Sequence, residues 1–151
     1  MARFTVEGAR VGKAGTTVTD LGSAADGALE AAGERLAEYF RGAIDMYGLV
    51  DTGELRESIK PTAVKESEKA GRYLDVYPQG KRTDGERNAA VGFYQEYGVT
   101  RALPRDSIPA THWMSNTVDD VADEIQDIIE QGVADAMEAA ALDMIDEILG
   151  G

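Results

Sequence analysis

The residues from Pro109 to Leu149 repeat apolar side chains at helical spacing, and this segment constrains the fold more than any other. Its apolar residues form two stripes: Val118, Val121, Ile125 and Ile128, followed by Ile129, Val133, Met137, Ala140, Met144 and Ile148. The second stripe is turned by roughly 100°, one residue's rotation on a 3.6-residue helix. The change falls beside Gly132, the weakest helix former in the stretch. The sequence therefore predicts a C-terminal helix over 109–149 that is kinked, broken or given a new packing partner near residue 132.

A second amphipathic helix is predicted from near Asp20 to Tyr47. Its apolar face comprises Leu21, Ala25, Ala28, Leu29, Ala32, Leu36, Tyr39, Phe40, Ala43 and Ile44. Charged residues take the opposite side, and Gly48 supplies a C-terminal stop.

Short extended segments lie between the two helices and before them. Residues 2–8, 58–64 and 72–78 are predicted strands, the last two pairing as a hairpin, while 88–98 fits a strand or a short helix. The polar, glycine-bearing residues 81–88 are predicted to form a mobile loop. The expected fold is α+β: one domain over 1–151, with a small antiparallel sheet packed by an N-terminal helix and a long C-terminal helix.

Charge is distributed unevenly along the chain. Residues 106–151 contain 12 of the 28 acidic residues and none of the 15 Lys and Arg. This segment is a poor partner for phosphate backbones, so passing DNA is expected to make at most non-specific contact. The excess of acids, with ten Arg to five Lys, suggests a salt-rich, halophilic source.

Several classes of protein are disfavoured by what the sequence contains. There is no cysteine, so disulfides, thiolate metal sites and cysteine nucleophiles are excluded. No apolar run approaches the ~20 residues of a membrane span, and the N-terminal residues lack the apolar core of a signal peptide. We therefore expect a protein made in the cytoplasm, without membrane contact.

The stretch VDTGELRESI at 50–59 contains the Asp-Thr-Gly triplet of aspartic proteases. A protease would need a second carboxylate and a strand before Asp51, whereas a helical pattern precedes it. Asp51 as an N-cap, with Glu54 completing a capping box and Val50 and Leu55 a hydrophobic staple, explains four residues by one mechanism. We favour the cap. If the protein were instead a protease that depends on Asp51, the Asp51→Asn variant would lose cleavage activity.

Other residues could carry chemistry but lack the necessary partners. His112 is the only histidine, and a general base needs a positioned nucleophile. The acidic residues Asp119, Asp120, Asp123, Glu124 and Asp127 lack the loop pattern of a calcium site and the Glu-x-x-His of di-metal bundles. We expect no enzyme, no metal and no cofactor.

Five basic residues lie in and near two loops with aromatic residues between them, and these loops are candidate partner contacts. The basic residues are Lys81, Arg82, Arg87, Arg101 and Arg105, and the aromatic ones are Phe93, Tyr94 and Tyr97. The pattern suits either nucleic acid or an acidic protein surface.

Three short segments in this order resemble a known family. They are LVDTGELRESI (49–59), FYQEYGV (93–99) and IPATHWM (108–114), the last opening the long C-terminal helix. The set is similar to neck and minor-tail proteins of long-tailed viruses, the lambdoid-phage gene-ten-product family, over roughly residues 20–149. The residues that carry the motif are Val50, Asp51, Gly53, Glu54, Leu55, Ser58, Ile59, Glu96, Tyr97, Gly98, Pro109 and Trp113. Thr111 and His112 depart from the family's Arg-Pro, and Val99 separates Gly98 from Thr100.

The resemblance implies a structural virion protein without catalysis. Such a protein forms an oligomeric ring at the head–tail junction or tail end and helps complete and join the tail. Its partners would be further copies of itself and neighbouring neck, head-closure or tail-tube proteins, assembled in the host cytoplasm into the virion. The alternative is a soluble cytoplasmic adaptor or regulator whose acidic helix binds a basic partner.

Overall fold

Two long antiparallel helices form most of the apolar core. In the computed structural model, which describes residues 2–6, 17–49, 53–67, 71–100 and 107–150, they are α1 (Thr17–Met46) and α4 (Trp113–Gly150). Their direction follows from their contacts: Ala28 lies against Gly132, and the Asn116 side-chain amide donates to the Tyr47 hydroxyl at 2.9 Å. The helix repeat predicted for each segment is therefore confirmed, α1 beginning three residues before the predicted Asp20.

An antiparallel sheet packs on α1, with β4 (Gly71–Pro78) at its centre. One edge of β4 pairs with β1 (Ala2–Val6), and the other with β2 (Ile59–Pro61) and β3 (Lys65–Ser67). Between β2 and β3 the register moves by one residue, and the Thr62 hydroxyl accepts the backbone N–H of Asp75 at 3.0 Å. The predicted antiparallel pairing of these segments is confirmed. β2 and β3 together form one edge of the sheet, which a bulge interrupts, and this edge position agrees with Pro61.

Two short helices complete the described residues: α2 (Glu54–Ser58) and α3 (Asn88–Tyr97). The sequence left 88–98 undecided because ten residues give little periodicity. The helix is favoured because Gly92 turns inward, where an added Cβ would lie 3.0 Å from Pro78 and 3.5 Å from Trp113. The result is the α+β single domain that the sequence predicts.

The core lies between α1, the sheet and the first half of α4. Its fully covered side chains include Leu29, Leu36, Phe40, Ile44, Ile59, Leu74, Val76, Trp113 and Ile125. The rings of Phe40 and Trp113 meet edge to face with centroids 5.6 Å apart. Close approach of α1 to the sheet depends on Gly33, whose added Cβ would lie 3.0 Å from both Leu74 and Pro61.

The end of α1 follows the predicted glycine stop. Gly48 has φ 69°, its N–H donates to Asp45 O at 3.2 Å, and the N–H of Leu49 donates to Ile44 O at 2.9 Å. These two bonds are those of a Schellman motif, with glycine in the left-handed position. Leu49 then packs back on the core.

The C-terminal helix differs from the prediction at its beginning. It starts at Trp113, so Pro109 lies outside it. Residues 108–112 are held to α3 instead: Ile108 pairs with Val99, and the backbone N–H of Thr111 donates to Gln95 O at 2.8 Å. These backbone bonds take the place of helical ones, so the first turn of the helix begins later in the sequence than predicted.

α1 and α4 approach closely at Gly132, where an added Cβ would lie 2.6 Å from the Ala28 Cβ. Packing therefore explains the glycine. Of the three predicted alternatives, the break is wrong, because the helix continues through this residue; the kink and the new packing partner stay predictions. Beyond it the large apolar residues from Met137 onward are 44–80% exposed. No described helix is long and apolar enough to cross a membrane.

Two glycine-to-alanine changes should therefore have opposite effects on stability. Gly132→Ala should lower the free energy of unfolding by about 1–3 kcal/mol, because the rigid Ala28 methyl and α1 backbone must move away. Gly42→Ala, also inside a helix but with nothing within 4 Å of the added Cβ, should raise it by about 0.5–1 kcal/mol. Urea unfolding of both variants measures this, and an equal gain in both would contradict the close contact.

Candidate functional site

The first and third sequence motifs meet at Gly92, the residue directly before the second motif. An added Cβ at this residue of the second motif's helix would lie 3.6 Å from Leu55 Cδ1 of the first motif and 3.5 Å from the Trp113 ring of the third. The indole N–H of Trp113 donates to the Gly92 carbonyl at 3.0 Å. We call this meeting point the motif junction; it is formed by Leu55, Gly92, Glu96, Gly98 and Trp113.

Glu96 holds the beginning of α4 from another helix. Its side chain is 2% exposed, and its carboxylate accepts the backbone N–H of Met114 at 2.7 Å and that of Ser115 at 3.2 Å. The Ser115 hydroxyl also donates to it. The first turn of a helix has N–H groups without helical partners and a partial positive charge, so a carboxylate there is stabilised and anchors the helix. The sequence singled out Glu96 but not this role.

Gly98 ends α3 in a conformation and a space that suit glycine. Its φ is 75°, and an added Cβ would lie 2.8 Å from both Ala110 N and Ile108 O. Val99 and Ile108 then exchange two backbone hydrogen bonds of 2.8 Å. The Glu-aromatic-Gly motif and the IPATHWM segment are thus bound together by backbone contacts, while Tyr97 and Pro109 lie exposed between them.

The first motif is placed partly as predicted. Val50 and Asp51 lie outside the described residues; α2 begins at Glu54, preceded by Gly53 with φ 84°. Glu54 is thus the first helical residue and not the third, as the capping box requires. Its carboxylate instead accepts the Thr83 N–H at 2.9 Å. Leu55, Ser58 and Ile59 are buried, and the Ser58 hydroxyl donates to Leu55 O at 2.6 Å.

The segment predicted as a mobile loop forms a hydrogen-bonded hairpin. Arg82 N donates to Glu86 O at 2.7 Å, Gly85 N to Arg82 O at 3.0 Å, and Asn88 N to Gly80 O at 3.0 Å. These backbone groups satisfy one another within the segment, and the Thr83 N–H donates to Glu54 on α2. The mobility predicted from the polar composition stays a prediction.

The five basic residues do not form one cluster in the described structure. Arg82 turns toward α2, its Nε 3.6 Å from Glu54 Oε2. Lys81 and Arg87 are exposed bridge partners across the hairpin. Arg101 and Arg105 lie outside the described residues.

Within the acidic stripe of α4, Glu124 has specific partners on α1. The Tyr39 hydroxyl donates to Glu124, and Arg35 Nε lies 3.2 Å from the same carboxylate. Arg35 also lies over the Tyr39 ring, 4.4 Å from its centroid. The Tyr39 hydrogen bond, followed by that of Arg35, lowers the pKa of Glu124, and the bond to Glu124 raises the pKa of Tyr39. This cluster joins the two helices at the surface.

The remaining chemical candidates are not brought together. His112 is exposed, with φ 54° and its Nδ1 3.9 Å from Glu96 Oε1. Asp119, Asp120, Asp123 and Asp127 lie exposed along one helix. Among the described residues, no group of three or more His, Asp or Glu side chains could hold a metal ion.

Comparisons with protein-family models, curated proteins and solved structures found no match to this chain.

Removing the Glu96 charge should destabilise the start of α4. Glu96→Gln keeps the shape but weakens the bonds to Met114 and Ser115, so the free energy of unfolding should fall by about 1–3 kcal/mol. Hydrogen exchange at the amides of these two residues should speed up. Glu57→Gln, an exposed glutamate on α2, is the control and should change neither. Unchanged amide exchange in Glu96→Gln would show that the carboxylate does not anchor the helix.

The Glu124 contact should make stability depend on pH in the acid range. Because the folded pKa of Glu124 is below its usual value, its contribution is present above the unfolded pKa and is lost as pH falls through the folded pKa. Glu124→Gln should therefore lower the melting temperature at pH 7 and match the parent protein at low pH. Glu138→Gln removes the same charge without the Tyr39 contact and serves as control. If the melting temperature of Glu124→Gln stays equally far below that of the parent protein at low pH, the stabilising role assigned to the Glu124 carboxylate is contradicted.

Proposed function

We propose that this protein is a structural subunit of a tailed virus, which assembles into a ring at the head–tail junction or tail end. In this role it completes and joins the tail and performs no catalysis. The observation that carries the proposal is the motif junction. Three segments that resemble the neck and minor-tail family, spread from residue 49 to residue 114, meet around Gly92. A shared packing unit would explain why the three segments occur together in one chain.

The junction supports an assembly role because it fixes the direction of a projecting helix. Glu96 and Trp113 fix the beginning of α4 to α3, and Gly132 seats its middle on Ala28. Beyond that contact, from Met137 onward, the large apolar side chains of the helix are exposed. Exposed apolar surface of this kind marks interaction sites.

The surface chemistry also fits a virion component next to a DNA channel. The chain carries a net charge of −13, and α4 contains no Lys or Arg among its exposed acids. Such a surface repels phosphate and lets DNA pass without sequence-specific contact.

The acidic face of α4 also supports a second candidate function. Its exposed carboxylates, without basic neighbours on the same helix, would suit a cytoplasmic adaptor that binds a basic partner. The two functions differ in the size of the particle. A ring contains several copies of this chain, whereas an adaptor remains small until its partner is added.

Light scattering and negative-stain microscopy of the purified protein test the proposal. We expect a concentration-dependent species of several chain masses and ring-shaped particles. In the virus that carries this gene, its removal should leave heads and tails unjoined, and resupply should restore complete particles. Complete particles in its absence would rule out the proposed function. A monomer that binds basic proteins would favour the adaptor.

A further inference from the structure

The C-terminal half of α4 carries an apolar surface that the described part of the chain leaves exposed. We define the α4 tail as residues 134–149. Its exposed apolar residues are Met137, Leu142, Met144, Ile145, Ile148 and Leu149, from 44% exposed at Met144 to 80% at Leu149. Its acids are Asp135, Glu138, Asp143, Asp146 and Glu147, with no basic residue among them.

The apolar side of the tail faces away from α1. Ile125 and Ile129 mark the direction toward α1, since both are buried against it. On a 3.6-residue helix, Leu142, Ile145 and Leu149 lie roughly 120–180° around from that direction. Packing between α1 and α4 therefore cannot cover them.

A complementary surface lies beside the motif junction. We define the receiving surface as Lys81, Arg87, Tyr94 and Tyr97. Tyr94 is 38% and Tyr97 66% exposed, and helical spacing puts both on the side of α3 opposite the buried Gly92. Tyrosine and arginine are enriched among residues that dominate binding.

Within the described residues, the two cations of the receiving surface have no acidic partner. Lys81 and Arg87 are direct bridge partners, and like charges placed opposite each other are unfavourable. No ion pair of the described residues involves either, and the neighbouring Arg82 is paired with Glu54 on α2. An acidic surface would therefore be stabilised here.

The two surfaces lie at opposite ends of the molecule. The receiving surface adjoins the beginning of α4, because α3 is fixed there through Glu96 and Trp113. The tail starts 20 residues beyond Met114, about 30 Å along the helix axis. A chain therefore cannot join its own two surfaces, whereas two chains can join them head to tail.

We infer that the α4 tail of one copy binds the receiving surface of the next. Apolar side chains of the tail would lie on Tyr94 and Tyr97, with the flanking acids facing Lys81 and Arg87. The occupant of each surface is thus a second copy. Repetition of a head-to-tail contact generates a ring when the rotation between copies closes, as the proposed function requires. The inference rests on the proposed ring and adds the contact that builds it.

Charge reversal on either surface tests the contact. The receiver variant carries Lys81→Glu and Arg87→Glu, and the tail variant carries Glu138→Lys and Asp146→Lys. Alone, at ~0.15 M salt, each should raise the concentration for half-assembly at least about tenfold. Mixed 1:1, they should assemble again, because normal tails meet normal receivers and reversed tails meet reversed receivers. Sedimentation velocity measures the assembled fraction, and circular dichroism checks folding.

Matched variants control for net charge and for lost apolar surface. Lys60→Glu with Lys65→Glu, and Glu30→Lys with Glu34→Lys, make the same charge changes at exposed positions elsewhere and should leave assembly unchanged. Leu149→Ser should weaken assembly at least about tenfold. Met46→Ser is the matched control, because Met46 is 79% exposed and Leu149 is 80% exposed. This change should not weaken assembly.

The outcomes separate this inference from the proposed function. If each reversed variant alone forms rings as readily as the wild-type protein, the head-to-tail contact is overturned and the proposed ring is not. Failure of the 1:1 mixture to assemble, with both variants folded, would also overturn it. A wild-type protein that stays monomeric at millimolar concentration would contradict both. The viral deletion tests the proposed function independently of these surfaces.

Discussion

The rest of the structure depends on one buried carboxylate at the start of α4. Glu96, on α3, accepts the first N–H groups of a helix that begins 17 residues later. A charge at this depth is stable only where donors surround it, and the helix terminus supplies them. Because α4 packs along α1 and α1 packs on the sheet, the carboxylate fixes the start and direction of the element that closes the core.

The parts of the fold that repeat could be predicted from the sequence. The stripe from Ala25 to Ile44 predicted the buried face of α1, and the alternation at Leu74 and Val76 predicted β4, because both patterns reflect burial on one side. Gly48 was predicted as a stop because few other residues adopt its φ of 69°. Local chemistry decided each of these features.

Features that join distant segments could not be derived in the same way. Gly132 reads as a weak helix former, yet its role is set by Ala28, more than a hundred residues earlier. Of the candidate site, Glu96, Gly98 and Trp113 came from a resemblance; their contacts with Met114, Ala110 and Gly92 required three-dimensional placement.

The seat of α4 on Ala28 has a mechanical consequence. Beyond Gly132 the helix extends roughly 25 Å to its end. A tilt of about 5° at that seat moves the tip by about 2 Å, about a third of the distance between neighbouring side chains on a helix. In a closed assembly the angle between neighbours sets how many copies complete the circle. The missing methyl group of one glycine would then help to determine its rotational symmetry.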